Sequence, residues 1–504
     1  MSDPRERSQP ITSFASLFIT CLLLSGLSGA SPSIHLSKRT GPPTSRILVS
    51  GRGFKPNVGV DIFFDTKDKA LVVTDGKGEF DDAGIYAPRS AHPGEHWVTA
   101  LERNNDKGAQ KPFLVQTDWS EFRFAPDHKG LNPYENVLNP RTVGGMSLKW
   151  SYNTTYYVWG SPTVTDGVAY VATSPYLYAL DADTGAVRRT YDFCCEDLLS
   201  SDPAVANGII YVGLFDTGLH ALDAKTGARL WNYPPIARVI CSPAVANGRV
   251  YFNDSEDNNG DGVYALDAKT GKPLWFSIIN SSFSSPAVAN GVVYVGSDDS
   301  NLYALDAVTG VKLWNYTTGW VVRTSPVVAN GVVYFGSYDK NVYALNASTG
   351  AKLWSYATGD WVWSSPAVAN GVVYVGSYDH NVYALDAFTG AKLWSYTTGN
   401  AVYSSPAVAN GVVYVGSLDG NLYALNAGSG ARLWTYVTAD RVWSSPTVVN
   451  GVVYAGSDDG NVYAFGLTGE SNGNAEKQPT AKPPDLKTLH PDFNLNVSKP
   501  VVTP

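Results

Sequence analysis

The sequence repeats one unit of about 40 residues eight times over its central and C-terminal parts. Each copy contains a serine or an aspartate followed by a proline, and successive prolines stand 40 to 43 residues apart. A period of this size is typical of propeller blades or solenoid units. The eight prolines are Pro162, Pro203, Pro243, Pro286, Pro326, Pro366, Pro406 and Pro446.

Within a copy, short apolar runs alternate with turn signals, and helical periodicity is absent. The first turn is Asn–Gly in seven copies and Asp166–Gly167 in the other. This dipeptide favours a two-residue hairpin because both positions need a positive φ. Four antiparallel strands per copy, here called A to D, predict a propeller blade. In the sixth copy they are expected at 367–369, 372–376, 382–387 and 392–396.

The two ends of the array carry a signal for ring closure. A tryptophan marks the fourth strand in six copies, Arg189 replaces it in the first, and the eighth copy ends before a fourth strand. A copy of that strand, Leu148–Tyr152, precedes the first repeat. We expect it to pair with the last repeat, since a closed ring has no exposed strand edges. The sequence thus predicts an all-β fold with an eight-bladed β-propeller over 146–467.

The strand Tyr-Ala-Leu-Asp-Ala and the Thr-Gly-x-x-Leu-Trp segment after it, as at 383–394, resemble the repeat of the pyrroloquinoline quinone (PQQ)-like β-propeller family. The resemblance covers about 119–467, and 119–145 is similar to the family's lead-in segment. That family includes quinoprotein alcohol dehydrogenases and an outer-membrane assembly lipoprotein that uses its propeller as a scaffold. The resemblance therefore implies the fold and leaves two kinds of function open.

The flanking segments differ from the repeats. Strand-like runs punctuated by Gly and Pro predict a small immunoglobulin-like β-sandwich over 46–117. Residues 468–504 are rich in Pro, Lys, Asn and Thr and are predicted to form a flexible tail.

The first 30 residues are predicted to be a signal peptide. Arg5 and Arg7 precede an apolar stretch, and Ser28-Gly29-Ala30 offers a cleavage site. An uncleaved anchor is the alternative, but we expect no membrane insertion of the mature chain. The protein is therefore predicted to be secreted or located in the cell envelope. A net charge of −8 without a basic cluster argues against a nucleic-acid partner.

The most variable positions predict a ligand site on one face of the propeller. In a four-stranded antiparallel blade, the B–C turns and the D–A connections share a face, and the D–A connections carry bulky aromatic residues. Such rings can stack on a saccharide or grip a protein segment, although packing between blades is an alternative role. The predicted ligand-binding residues are Trp159, Phe283, Trp361, Trp363, Tyr403 and Trp443.

Two further motifs concern metals and sulfur. Asp257, Asn259 and Asp261 match the start of a calcium loop, whose twelfth position is Ala268 instead of Glu. A plain acidic turn is the alternative. Adjacent Cys194 and Cys195 occupy a D–A connection. By resemblance to the quinoprotein dehydrogenases they would form a disulfide ring beside the quinone; a local staple, or a pair with Cys241, is the alternative.

The repeats five to seven are almost copies of one another, whereas an active site needs asymmetry. The calcium ligands and catalytic acid of the quinoprotein dehydrogenases also cannot be mapped onto Glu196, Asp197 and Asp202. The sequence therefore predicts an exported, non-catalytic binding or scaffold protein without a cofactor, save calcium in the third repeat. A PQQ-dependent dehydrogenase is the alternative hypothesis.

The calcium hypothesis predicts a melting temperature that rises with calcium and falls with chelator. An ion bound to the folded state at a hundredfold excess over its Kd would stabilise it by about 2.7 kcal/mol. Asp257→Asn combined with Asp261→Asn should remove this dependence and leave the calcium-free melting temperature nearly unchanged. Coinciding melting curves of the unmodified protein with and without calcium would contradict the hypothesis.

Overall fold

The computed structural model of the protein describes residues 31–103, 105–193, 201–215, 217–234, 238–254, 261–280, 283–467 and 482–491. These residues form strands, turns and two short 3-10 helices, Val143–Gly145 and Leu486–Thr488. No helix within these ranges has the length and apolar character needed to cross a bilayer. The predicted signal peptide at 1–30 lies outside them.

The N-terminal part of the chain forms two sheets around one core. The strands are β1 (Ser33–Leu36), β2 (Thr40–Gly41), β3 (Arg46–Arg52), β4 (Gly59–Phe64), β5 (Lys67–Val73), β6 (Phe80–Tyr86), β7 (Gly94–Glu102) and β8 (Gly108–Val115). One sheet has the order β1-β3-β6 and the other β2-β8-β7-β4-β5. Ile47 and Ile85 of the first pack against Ile62 and Phe113 of the second. Two strands, β1 and β2, lie before the predicted start at residue 46.

The described part of the C-terminal segment packs on the second of these sheets. Leu486 and Leu489 contact Phe63 and Leu101, and the Gln110 side-chain amide donates to the carbonyl of Pro484 at 2.8 Å. The prediction of a flexible tail over 468–504 is therefore wrong for residues 482–491. Two leucines three residues apart cover an apolar surface that would otherwise face water.

Every repeat forms one antiparallel sheet, and β9 (Leu131–Asn132) and β10 (Met146–Asn153) precede the repeats. The repeat strands are β11–β14 (Thr163–Thr165, Val168–Ala172, Tyr176–Asp181, Val187–Asp192), β15–β18 (Ala204–Ala206, Ile209–Leu214, Gly218–Asp223, Arg229–Tyr233), β19–β22 (Ala244–Ala246, Arg249–Asn253, Gly262–Asp267, Pro273–Ile278), β23–β26 (Ala287–Ala289, Val292–Gly296, Asn301–Asp306, Lys312–Thr317), β27–β30 (Val327–Ala329, Val332–Gly336, Asn341–Asn346, Lys352–Ala357), β31–β34 (Ala367–Ala369, Val372–Gly376, Asn381–Asp386, Lys392–Thr397), β35–β38 (Ala407–Ala409, Val412–Gly416, Asn421–Asn426, Arg432–Val437) and β39–β41 (Thr447–Val449, Val452–Gly456, Asn461–Leu467).

Strand β10 completes the last sheet, whose order is β10-β41-β40-β39. Leu148 lies opposite Phe465, and Tyr152 lies opposite Val462. The predicted pairing of the orphan strand with the last repeat is thus confirmed. It joins the chain before the first repeat to the chain after the last one, so the first and last sheets are held as neighbours.

The tryptophans that mark the fourth strands contact the following sheet and donate a hydrogen bond to it. Trp354 Nε1 donates to the carbonyl of Ala387 in the following sheet at 2.9 Å. Its ring lies against Gly390, which has a φ of 74° and where a Cβ atom would come within 2.7 Å of the indole. Both the backbone conformation and the close ring therefore require glycine in the Thr-Gly turn.

A closed circle of hydrogen bonds, here called the serine ring, joins the residues that precede the anchor prolines. The backbone amide of Ser325 donates to Ser365 Oγ at 2.9 Å, and the same link recurs from sheet to sheet. Ser445 donates to Ser161 Oγ at 3.1 Å, which connects the last sheet to the first. Ser161 donates in turn to Asp202 Oδ1 at 2.6 Å.

The first part of the lead-in segment, residues 119–132, runs past the innermost strand of each sheet in chain order. The carbonyl of Ser120 accepts the amide of Val205, that of Asp127 accepts Val328, and that of Gly130 accepts Val408. The Glu121 carboxylate accepts the amide of Val245 at 3.3 Å. The innermost strands of adjacent sheets contact one another, including β39 with β11, so the segment fills the channel that they surround.

The serine ring contains one carboxylate, Asp202, where the other repeats have serine. Burial raises the pKa of Asp202 to about 6, against the bonds it receives from Ser161 and Ser242. A raised pKa gives stability that is fully present below the unfolded pKa of about 3.8 and lost as the pH rises through about 6. Asp202→Ser should therefore be more stable than the unmodified protein at pH 8, by at most about 3 kcal/mol, and not at pH 4. Urea unfolding at both pH values tests this, and an equal difference at both would contradict it.

Candidate functional site

The candidate site lies on the described D–A connections, at residues two positions before the serine-ring residues. Six of these residues form a continuous series that we call the aromatic arc: Phe283, Arg323, Trp363, Tyr403, Trp443 and Trp159. Because the serine ring fixes the backbone next to each of them, the arc residues follow the order of the sheets. The lead-in segment bonds to the innermost strands, whereas the arc lies on the connections that precede them.

Ring contacts link the arc residues directly. The ring centroids of Trp363 and Tyr403 are 4.9 Å apart, and those of Tyr403 and Trp443 are 4.3 Å apart. Phe283 and Trp363 lie 6.0 Å apart. Burial raises the pKa of Tyr403, and the neighbouring Tyr378 adds to this shift. Tyr403 therefore stays neutral and offers an uncharged ring.

Arg323 is the cation of the arc. Its guanidinium carbon lies 5.0 Å from the ring centroid of Phe283 and 5.8 Å from that of Trp363. Its Nε and Nη2 donate to the two oxygens of Asp298 at 3.0 and 2.7 Å. These bonds to Asp298 raise the pKa of Arg323. A fixed, half-buried positive charge therefore lies between two aromatic faces.

Asp458 connects the two ends of the tryptophan series. Trp159 Nε1 donates to Asp458 Oδ1 and Trp443 Nε1 donates to Oδ2, each at 2.8 Å. Burial raises the pKa of Asp458, while the two indole bonds lower it. Trp159 is still 64% exposed and stacks on Tyr157, so this end of the arc faces solvent.

A second layer of rings supports the arc. Trp361 stacks on Tyr338 at 5.1 Å with an interplanar angle of 6°, and Tyr338 also contacts Trp363 at 5.2 Å. Trp320 meets the edge of Trp361 at 5.6 Å and is 48% exposed. The structure therefore brings all six residues predicted to bind a ligand into one connected cluster, whose role in binding stays a prediction.

The sequence analysis missed the partners on the B–C turns. Asp298, Tyr338, Tyr378 and Asp458 each follow the constant Gly-Ser pair that ends the second strand. The variation of these residues among otherwise identical turns could have indicated them. The sequence could not show which arc residue each one contacts, since only the folded sheets place each turn beside a D–A connection.

The predicted metal and sulfur sites fall largely outside the described residues, which include neither Asp257, Asn259, Cys194 nor Cys195. Asp261 is described, and its carbonyl accepts the amide of Ile279 at 3.1 Å. Cys241 is a buried free thiol that donates to the carbonyl of Asn253 at 3.3 Å. Within the described ranges, no three His, Cys, Asp or Glu side chains gather as a metal site would require.

Two family models match the repeats. The model of the β-propeller of the β-alanine-activating enzyme matches residues 261–480, and that of the outer membrane protein assembly factor BamB, a PQQ repeat model, matches residues 176–277. The repeats of this chain are therefore similar to those of the PQQ-like β-propeller family. The resemblance seen in the Tyr-Ala-Leu-Asp-Ala and Leu-Trp segments is therefore confirmed.

Individual relatives give more detail. The dehydrogenase subunit of a quinone alcohol dehydrogenase from Komagataeibacter europaeus is 32% identical over 200 residues, which are 35% of this chain and 23% of that protein. The chain thus spans about a quarter of the length of this relative. A europium-containing methanol dehydrogenase has a TM-score of 0.61 at 15% identity, covering 70% of this chain and 98% of that one. BamB from Moraxella catarrhalis has a TM-score of 0.55 at 21% identity, covering 64% and 99%.

These relatives correct two predictions. The similarity to quinone alcohol dehydrogenases contradicts the prediction of a non-catalytic binding or scaffold protein, and with it the expected lack of a cofactor. The prediction rested on the near identity of repeats five to seven. Yet these repeats contribute Arg323, Trp363 and Tyr403 to the arc. The arc is therefore asymmetric through single side chains, without long loops.

The bonds of Asp458 predict a local contribution to stability. Asp458→Asn keeps one acceptor oxygen and leaves one indole N–H without its acceptor, so the free energy of unfolding should fall by about 1 kcal/mol. Leu418→Asn, at the same turn position of the preceding repeat, is the matched control and should change it less. Urea unfolding followed by tryptophan fluorescence measures both. Equal effects of the two substitutions would show that the indole bonds add nothing.

Proposed function

We propose that this protein is a quinone-dependent alcohol dehydrogenase whose aromatic arc holds a planar quinone of the PQQ type. The observation that carries the proposal is the similarity to quinone alcohol dehydrogenases, which several relatives share at 31 to 33% identity. The arc supplies a suitable location on the described part of the chain.

The proposal includes the finer architecture. We assign the eight repeat sheets to eight blades of one closed propeller, supported by the serine ring and by the pairing of β10 with β41. We assign the N-terminal pair of sheets to an immunoglobulin-like sandwich. An extracytoplasmic location, secreted or in the cell envelope, is proposed from the signal-like sequence at 1–30.

The side chains of the arc match the chemistry of such a cofactor. A quinone of this type is a flat aromatic molecule bearing carboxylates. Trp363, Tyr403 and Trp443 offer ring faces for stacking, and Arg323 offers a positive charge at their edge. Asp298 already neutralises part of that charge, so a bound carboxylate would share the guanidinium with it.

The chain's own groups would orient the substrate and move its proton. A bound quinone supplies the two-electron acceptor for alcohol oxidation. Asp458 is a described carboxylate of this cluster, and burial raises its pKa, so it takes up a proton more readily than an exposed aspartate. The indole donors of Trp159 and Trp443 hold its two oxygens in place.

The fit does not extend to a metal centre. The described residues gather no cluster of three metal-ligating side chains, so we derive no step through a metal ion. Assays of quinone binding therefore include a series with calcium and a series with chelator. If calcium changes the affinity for the quinone, the ligands lie outside the described residues.

Reconstitution of the purified full chain with PQQ tests the proposal. Stacking should quench the tryptophan fluorescence in a saturable way, and addition of ethanol should then reduce an electron-accepting dye. Trp363→Ala should raise the quinone Kd about tenfold or more, since one aromatic contact of this kind contributes about 1–1.5 kcal/mol. Asp458→Asn should lower kcat more than it changes the quinone Kd.

Phe388 provides the matched control. It is 82% exposed and lies in a C–D turn, on the face opposite the arc. Phe388→Ala should leave the quinone Kd and the dye reduction unchanged. If saturating PQQ with calcium produces no ethanol-dependent dye reduction, the proposed activity is wrong, whatever the quenching shows.

A further inference from the structure

At most interfaces between neighbouring sheets, a tryptophan side chain fills the space between the sheets and donates a hydrogen bond to the next sheet. In the second sheet, Trp231 Nε1 and the Tyr211 hydroxyl both donate to the carbonyl of Ala268 in the third, at 3.2 and 3.0 Å. The Trp231 ring covers Gly271. The same tryptophan packs at each later interface and at the one between the last sheet and the first, where Trp150 donates to Ala182 at 3.0 Å.

The interface between the first and second sheets departs from this pattern. Arg189 occupies the tryptophan position, and its methylene chain lies over Gly227, where a Cβ atom would come within 2.9 Å of Arg189 Cδ. Its Nη2 atom donates to the carbonyl of Lys225 at 3.4 Å. The flat indole is therefore replaced by a thin chain that ends in a cation.

A cavity of about 790 Å³ lies at this interface. Arg189, Lys225 and Lys269 contribute positive charge to its lining, and Asp166 and Asp223 contribute negative charge. Within the described ranges, none of the three cations takes part in an ion pair. Arg188 also lines it but is paired with Asp181 at 2.6 Å. In a chain of net charge −8, the cationic side chains of this lining still outnumber the two aspartates. We call it the cationic cavity.

The cationic cavity is also lined by apolar side chains and by one buried hydroxyl group that lacks a hydrogen-bond partner among the described residues. Val168, Tyr170 and Leu230 line it, together with Tyr191. Tyr191 is 7% exposed, and its buried hydroxyl has no hydrogen-bond partner among the described residues. A buried hydroxyl without a partner is costly, and a ligand that reaches the wall would satisfy it.

We propose that the cationic cavity binds a small organic anion: a carboxylate or phosphate ester with an apolar, ring-sized body. The anionic head would lie between Arg189, Lys225 and Lys269, and the body would contact Tyr170 and Leu230, within reach of the Tyr191 hydroxyl. The cavity is lined by A–B and C–D turns together with residues of the adjoining strands, and these turns lie on the face opposite the aromatic arc. The inference is therefore independent of the proposed quinone site.

Titration calorimetry of the full chain with 1-naphthyl phosphate tests the site. We expect one molecule bound per chain, with a Kd at least tenfold lower than that of 1-naphthol or of inorganic phosphate, since head and body each contribute contacts. Arg189→Trp restores the plug found at the other interfaces. It should abolish binding and raise the melting temperature.

A second variant separates lost charge from a refilled interface. Lys225→Gln with Lys269→Gln keeps Arg189 and should weaken binding about tenfold, with little change in melting temperature. Lys340→Gln, an exposed lysine paired with Asp360 at 3.2 Å on the other face, is the matched control and should leave the Kd unchanged. Absence of binding to the unmodified chain, or binding that survives Arg189→Trp, overturns the proposal.

Discussion

The arrangement of this molecule depends on one hydrogen bond repeated around a circle, from the backbone amide before each anchor proline to the hydroxyl or carboxylate of the next repeat. The proline lacks a backbone N–H donor and has a fixed φ, so the direction of the chain after this hydrogen bond is restricted. The residues of the aromatic arc lie two positions before the residues of the serine ring. The hydrogen bonds that join the sheets therefore also position the arc side chains. A site on short connections can thus be as rigid as one on long loops.

The lead-in segment gives the symmetric ring an asymmetric interior. Fourteen residues, 119–132, meet the eight inner strands in sequence, so each contact uses a different residue. Burial raises the pKa of Glu121 to about 8 and lowers that of Arg123 to about 9. Arg123 offsets part of its desolvation by donating to the carbonyl of Pro366 at 2.6 Å.

The sequence was sufficient for features that repeat and insufficient for features that occur once. The Asn–Gly turns adopt positive φ as predicted, with Asn370 at 50° and Gly371 at 78°, because local sterics decide them. The pairing of the closing strand could be predicted by counting the fourth strands of the repeats. The path of the lead-in segment could not be predicted, since most of its contacts use backbone carbonyls, which every residue has. Asp458 and Asp298 also escaped prediction, because their partners lie on chain segments 15 or more residues away.

The departures from the repeat have different physical meanings. Residues of the arc vary on connections outside the strands, where they contact one another and the B–C turns. Arg189 differs, because it gives up an indole that packs and donates at every other interface. Burying such a side chain contributes several kcal/mol, and nothing in the local backbone excludes it, since Gly227 is present to receive the ring. The interface between the first and second sheets therefore has the backbone that accepts a tryptophan but lacks the tryptophan side chain. A local rule broken where the fold would accept the usual residue points to a role outside folding.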